Sequence, residues 1–302
     1  MPYDALQTFV TLADIGNFTR TAEYLHISQS GVSLHIQTLE TEFGTPLFVR
    51  SSRAVAITPS GRILYHRAKQ LLALYEQTRQ EILAQHNLVK GELRIGASLT
   101  IGEYLLPGLI ADLQQSYPAL ELTVTVANTE RIVTSVRELQ SDVGLIEGQT
   151  DDHELIIQPF MNDELFITAP TRHPLAQRTS VRIAELQNQT WLIREEGSGT
   201  RQYLEHILRA NGLKTKAMMT INSSQGIKEA LIQGVDGLTL LSGHIIRTDL
   251  TDGRLATIPI IGQTFRRTFS IVHLPMMAQQ RSVSAFLETL HNKWKRGGDA
   301  PS

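Results

Sequence analysis

Apolar positions in residues 1–58 recur at helical spacing in three short blocks. Leu6, Phe9, Val10 and Ala13 form the first, which stops at Gly16, with Asn17 placed to cap the next. Phe18, Ala22 and Leu25 form the second, and Ser28, after His26-Ile27, is placed to cap the third. Val32, Ile36, Leu39 and Phe43 mark one face of that third helix, which Gly44 and Pro46 end. Three short helices around one small core are predicted. Leu47 to Thr58 then reads as two short β-prone runs around a polar turn with an arginine on each side, which is a wing.

Thr58 and Pro59 form a helix start, with a cap followed by proline at the first helical position. Leu64, Ala68, Leu71, Tyr75, Thr78 and Ile82 follow at spacings of four and three, leaving Arg67, Glu76, Arg79 and Glu81 outside the stripe. That is a coiled-coil seam calling for a partner helix, or equally a stripe packed against the rest of the chain. From Gly91 the pattern changes to strand–helix alternation. Strands are predicted at Glu92–Ala97, Glu121–Ala127 and Val143–Ile146, with helices at Ile101–Ser116 and Glu130–Leu139 between them. A second series has strands at Leu165–Ala169, Thr190–Ile193, Ala217–Ile221 and Gly237–Leu241, and helices at Thr200–Asn211 and Ser224–Gln233. A last strand, Thr268–His273, and a last helix, Ala278–Lys295, return to the first lobe, so the two crossovers are candidate hinges. The fold class expected is multidomain α/β. A winged helix-turn-helix occupies 1–58, a linker helix 59–90 and a two-lobed α/β domain 91–302, with lobe I at 91–161 and 268–302 and lobe II at 162–267.

Composition fits this organisation. A chain of 302 residues suits about two domains. No apolar run approaches the ~20 residues of a membrane span. Asp4 and Gln7 stand where an export signal needs a basic and then an apolar region, so the cytosol is the expected compartment. The absence of cysteine excludes disulfides, thiolate metal sites and a cysteine nucleophile. The net charge of −2 offers no bulk attraction to nucleic acid. Its distribution says more: between Phe43 and Tyr75 the charged residues are Arg50, Arg53, Arg62, Arg67 and Lys69, with no acid among them. This is a local basic footprint, unless it is a solvated face that happens to lack acids.

The third helix presents Gln29, Ser30, Ser33, Leu34 and Gln37 opposite its apolar face, with His35 at the flank. Such a helix can enter a major groove, where Gln pairs with adenine and Ser serves several bases or a phosphate. A polar face that is simply solvated is the alternative. Arg50 and Arg53 on the wing would lie beside that groove, where phosphate contacts position the protein without reading sequence. In the α/β region, ligands bind beyond the carboxyl ends of strands, which directs attention to Ser98-Leu99-Thr100, Asn128-Thr129, Glu147-Gly148 and Glu195 to Arg201. Ser98 and Thr100, and likewise Ser198 and Thr200, offer hydroxyls and free amides at helix starts. These suit an anion, or else they only cap their helices.

Residues 1–61 resemble the DNA-binding domain of the LysR-type transcriptional regulators. The likeness is carried by Phe9, Gly16, Phe18, Ala22, Leu25, Ser28-Gln29, Val32-Ser33, Ile36, Leu39-Glu40, Gly44, Leu47-Phe48-x-Arg50, Arg53 and Thr58-x-x-Gly61. It implies that Gln29, Ser30 and Ser33 meet the groove, that Arg50 and Arg53 hold backbone, and that the linker helix pairs two heads over two half-sites. Leu34 departs from the family, which commonly has a basic residue there, and is expected to touch a thymine methyl. Residues 91–302 resemble the family's effector-binding domain, itself similar to periplasmic binding proteins. Here the carriers are Gly91-x-Leu93-Arg94-Ile95-Gly96, Leu106-Pro107, Tyr117-Pro118, Asp142-Val143-Gly144-Leu145 and Gly237-Leu238-Thr239-Leu240-Leu241. Glu195-Glu196-Gly197-Ser198-Gly199-Thr200-Arg201 looks like the subgroup controlling sulfur assimilation or carbon fixation, whose effectors include small anions and phosphorylated metabolites. By position the resemblance implies effector contacts at Ser98, Thr100, Asn128, Glu147, Ser198 and Thr200, with Arg201 as a charge partner. It further implies promoter DNA, a homodimer or homotetramer, and RNA polymerase as partners.

Two other classes are weaker. An enzyme would need a constellation that is missing: Glu196 stands where a nucleophile elbow has its first glycine, and Gln202 where a dinucleotide fingerprint has its last. No catalytic residue, cofactor or metal site is expected, and Asp151-Asp152-His153 reads as a solvated loop. A solute-binding protein would lack the helix-turn-helix head and carry an export signal.

Overall fold

The computed structural model describes residues 3–50, 55–83 and 89–295. Contacts divide the chain into two compact units, Met1–Asn87 and Leu88–Ser302.

In the first unit, helices Tyr3–Ile15 (α1), Phe18–Leu25 (α2) and Gln29–Phe43 (α3) start and stop where the caps dictate. Asn17 accepts the Arg20 amide, Ser28 Oγ accepts the Gly31 amide at 3.0 Å, and Gly44 closes α3 in the left-handed region. Phe9, Leu12, Val32, Ile36 and Leu39 are fully buried in one core. Phe43, expected on that face, is exposed instead, at the last position of α3. Strands Phe48–Arg50 (β1) and Val55–Ile57 (β2) pair antiparallel as the wing. Glu40 anchors it by accepting the backbone N–H groups of Leu47 and Phe48 at 2.8 and 3.3 Å. Thr58 Oγ1 caps the long helix Pro59–Leu83 (α4) through the Gly61 amide at 2.9 Å. Gly61 passes so close to the wing that a Cβ there would stand 2.3 Å from the Leu47 carbonyl oxygen.

The α4 stripe does not face one way. Leu64 and Ala68 are buried in the head's own core, because α4 returns from the wing along α1. Leu71, Tyr75 and Thr78 are exposed, as is Leu74 beside them, while the side chain of Ile82 lies outside the described residues. Tyr75 meets Tyr3 with ring centroids 4.4 Å apart.

The second unit is built on one twisted sheet. Gly91–Ser98 (β3), Leu120–Ala127 (β4) and Val143–Glu147 (β5) are parallel neighbours joined through Leu106–Ser116 (α5) and Thr129–Arg137 (α6). The helix expected from Ile101 opens as a π-helical turn, Ile101–Leu105, closed by Leu106 N–H to the Ile101 carbonyl. Pro107 causes this, since it has no N–H for the Glu103 carbonyl and its ring crowds that oxygen. Ile156–Pro170 (β6) then runs out of the first lobe, and Phe265–His273 (β11) runs back antiparallel to it. β6 carries Thr239–Ser242 (β9) and Leu255–Thr257 (β10) at its far end. Sequence periodicity placed only Leu165–Ala169 and Thr268–His273 in these strands. Pro159 and the polar run Asn162-Asp163-Glu164 carry no strand pattern of their own, and pairing with β11 holds them in the strand. Thr190–Ile193 (β7) and Ala217–Thr220 (β8) form a separate parallel pair. Gly199–Ala210 (α7), Ser224–Ile232 (α8), Gly243–Thr251 (α9) and Arg281–Lys295 (α10) complete the unit. The core of the second lobe gathers Trp191, Leu204, Leu208, Leu238, Leu240 and Phe265.

Candidate DNA interface and effector cleft

On α3, Gln29, Ser30, Leu34 and Gln37 are exposed and Ser33 is half-buried. Leu34 is 62% exposed, on the side of α3 away from its filled apolar face. Gln29 Nε2 reaches Ser33 Oγ at 3.4 Å, and Ser30 Oγ lies 2.9 Å from Ser28 Oγ, so the polar side chains at the start of the helix steady one another. His35 is half-buried and turns inward: its Nδ1 lies 2.8 Å from the buried Thr8 hydroxyl of α1, leaving one ring nitrogen for anything outside. Arg50 ends β1 with its side chain outside the described residues, and Arg53 lies outside them entirely.

The cleft between the two lobes of the second unit is organised around a residue that sequence reading missed. Arg267 on β11 is buried, its side chain 2% exposed. Its Nε donates to Asp163 Oδ2 on β6 at 2.7 Å, and its Nη1 pairs with Glu147 Oε2 at the end of β5 at 2.5 Å. Nη1 also reaches the Thr200 hydroxyl at 2.8 Å and Nη2 the Thr100 hydroxyl at 3.2 Å. The Thr100 amide donates to Glu147 Oε1 at 2.7 Å, and Ser242 Oγ donates to Asp163 Oδ1 at 2.6 Å. One guanidinium therefore ties together both lobes and both crossover strands. Burial pushes the Glu147 carboxyl up, but the Arg267 charge and the Thr100 hydrogen bonds outweigh it and hold it below its ordinary value. Arg267 is correspondingly raised: burial works against its charge, and Glu147 and Asp163 more than compensate.

The residues expected to contact an effector are not all brought to one point. Thr100, Glu147 and Thr200 converge on Arg267, and neither Thr100 nor Ser198 caps its helix with its side chain. Ser98 is buried beside Glu147 and helps hold that carboxyl down, yet its Oγ has no partner in hydrogen-bond geometry. Asn128 does act as a cap, accepting the Arg131 amide at 3.0 Å, and its Nδ2 bridges to the Glu196 carbonyl at 3.1 Å across the cleft. Arg201 pairs along its own helix with Glu205 at 2.7 Å. Gly199 sits so close to β5 that a Cβ there would be 2.1 Å from the Glu147 carbonyl oxygen.

Arg194, at the end of β7, is the second missed cation. Its side chain is 2% exposed, its Nη1 donates to Ser224 Oγ at 2.9 Å, and Nε and Nη2 grip Glu195, each at 2.8 Å. Burial raises the Glu103 carboxyl on the π-turn, against the pull of Arg194. Neither arginine carries a sequence motif: Arg267 gains its importance from burial against carboxylates far away in the chain, and Arg194, although beside Glu195 in sequence, only from being buried against Ser224 of another helix. Beside this centre lies a cavity of about 1040 Å³ between β4, α6 and the Glu195-Glu196 loop, with Leu99 and Asn128 in its wall. Among the described residues no cluster of three or more His, Asp or Glu could hold a metal, and no helix is long and apolar enough to cross a membrane.

Residues 3–62 match the bacterial regulatory helix-turn-helix proteins of the lysR family, and residues 86–295 match the LysR substrate binding domain. The chain belongs to the LysR family. The regulator is 50% identical over 295 residues to the HTH-type transcriptional regulator CysL of Bacillus subtilis, covering 98% of each chain. Among solved structures it is similar to a full-length OxyR variant from Pseudomonas aeruginosa, with a TM-score of 0.77 and 26% identity over 96% of this chain and 94% of that one. It is also similar to the CcmR regulatory domain of Synechocystis PCC6803 in complex with 2-PG, with a TM-score of 0.64 and 25% identity over 68% of this chain and 98% of that one. The regulator thus joins a DNA-binding winged helix-turn-helix to an α/β effector-binding domain. Its family consists of transcription regulators, not enzymes.

Proposed function

We propose that the regulator controls transcription in the cytoplasm by coupling a small anionic effector, bound between the lobes of residues 91–302, to operator binding by residues 1–58. The observation that carries the effector side is the convergence of two hydroxyl-bearing helix starts, at Thr100 and Thr200, from two lobes on one buried arginine. Such starts present amides and a positive dipole end to an anion, and the CcmR relative is solved with 2-PG. Ser98, Thr100 and Thr200 would meet the effector directly. Asn128 and Ser198 would hold the cleft edges, and Arg201 would act as an outer charge. Thermal-shift measurements with sulfate, phosphate and 2-PG should show stabilisation. Stabilisation only by cationic or neutral apolar compounds refutes the reading.

On the DNA side, Gln29, Ser30, Ser33, Leu34 and Gln37 enter the major groove, His35 supports from the flank, and Arg50 and Arg53 hold phosphates. Residues 59–90 pair two heads through the exposed Leu71, Leu74, Tyr75 and Thr78 part of α4, since Leu64 and Ala68 are spent on the head's own core. With a net charge of −2, the regulator depends on two linked heads for tight binding. Dimers pairing into tetramers and contact with RNA polymerase complete the proposed assembly. A mobility shift with DNA from upstream of the regulator's own gene tests it, and a monomeric variant that binds as tightly as the wild type refutes the pairing.

A further inference from the structure

The position between the two helix starts is already filled by an anion belonging to the protein. Glu147 Oε1 takes the Thr100 amide at 2.7 Å, and Oε2 takes Arg267 Nη1 at 2.5 Å and the Thr200 hydroxyl at 3.4 Å. An amide from lobe I, a hydroxyl from lobe II and a guanidinium are the donors a small anion would need. The adjoining cavity offers no substitute, since Glu130, Glu195 and Glu196 line it against Arg131 alone.

Three features make the Glu147 carboxylate exchangeable. Arg267 keeps a full ion pair with Asp163 at 2.7 Å if Glu147 leaves, so the guanidinium is not orphaned. Two carboxylates share one guanidinium, so the cluster carries an excess negative charge that an incoming anion would otherwise increase. The Glu147 backbone is fixed independently, its carbonyl accepting the Thr129 hydroxyl at 2.8 Å, so the side chain can turn without moving β5. Ser98 Oγ, buried beside it, is one more donor for the newcomer.

We propose that Glu147 is a resident counter-ion of the effector site, and that an anionic effector binds by displacing its carboxylate from the Thr100 amide and Arg267. This rests on the anionic-effector reading above and adds to it. The effector's affinity is set by competition with an internal ligand, which makes Glu147 a specificity-determining residue. Only an anion that engages Thr100, Thr200 and Arg267 together replaces what Glu147 already supplies.

Calorimetric titration of the full chain with sulfate, phosphate and 2-PG tests this on the wild type and on Glu147→Gln. Losing the competitor should tighten binding of at least one anion about tenfold or more, the worth of one charge-assisted hydrogen bond. Tightening supports the proposal even if the wild type binds too weakly to measure, because damage to the cleft alone would weaken binding. A wild type that binds and a variant that binds equally or less tightly overturns the proposal and leaves the anionic reading standing. If neither binds any of the three anions, the anionic reading falls and takes the proposal with it. Should Glu147→Gln not fold, a crystal structure of the wild type with 2-PG decides. A carboxylate no longer in hydrogen-bond reach of the Thr100 amide supports displacement, and one still bound there beside an anion held elsewhere overturns it.

Discussion

Replacing Arg267 with methionine should destabilise the effector-binding domain by about 3–5 kcal/mol at neutral pH, the cost of removing one partner from a buried ion pair. The side chains of Arg267, Glu147 and Asp163 are 2%, 3% and 0% exposed, so water can do little to compensate the carboxylates left behind. For a domain of this size each kcal/mol moves the midpoint by about 2–4 °C, so a fall of roughly 10 °C is expected. The chain's two tryptophans, Trp191 and Trp294, both lie in this domain, so their fluorescence follows its unfolding and not that of the head. The pH dependence gives a second check. In the wild type the folded Glu147 carboxyl is depressed, so its stabilisation is present above the unfolded pKa and is lost as pH falls through the folded value. Without Arg267, burial, the largest influence, is opposed only by the Thr100 and Ser98 hydrogen bonds, and the carboxyl rises relative to the wild type. The penalty in the variant is then relieved as pH falls through the raised pKa. The stability gap between wild type and variant should therefore narrow between pH 7 and about pH 4. A loss below about 1 kcal/mol at pH 7, or a gap that stays constant on acidification, would refute the charge-cluster reasoning.

The head offers three further checks. Gly61→Ala drives a Cβ into the Leu47 carbonyl oxygen and should cost about 1–3 kcal/mol of head stability, visible as weakened operator binding with the tryptophan-reported transition unchanged. Glu40→Ala frees the Leu47 and Phe48 amides and loosens the wing, for about 1–3 kcal/mol. It should weaken binding to all sequences alike, and an altered base preference would argue against a purely supporting role. Leu34→Ala should lower the preference for thymine at one half-site position by about 1 kcal/mol, roughly fivefold. An unchanged preference in a binding-site selection rules out the thymine contact.

Legibility differed between the two halves for a physical reason. The caps at Asn17, Ser28 and Thr58, the stops at Gly16 and Gly44 and the apolar spacing of α1 to α3 are local interactions, so the head could be laid out from sequence. The same holds for β3, β4 and β5, which alternate with helices along the chain and end in ligand-type loops. The stripe on α4 was visible, but its division between core and exposed surface was not. Which turn of α4 meets α1 depends on the path of the wing.

Sequence alone determined the class of the molecule: a helix-turn-helix with a basic wing, a long helix and an α/β domain with hydroxyl-rich loops. All of these are written in residues close together along the chain. Tertiary structure decided how the cleft is charged. β6 becomes a continuous strand only by pairing with β11, and that pairing sets Arg267 beside Asp163 from 104 residues away. The return of β5 then brings in Glu147, and the two helix starts bring in Thr100 and Thr200. A lone arginine in a strand and a glutamate at a strand end carry no local signature. Their burial and mutual attraction exist only once the chain has closed around them.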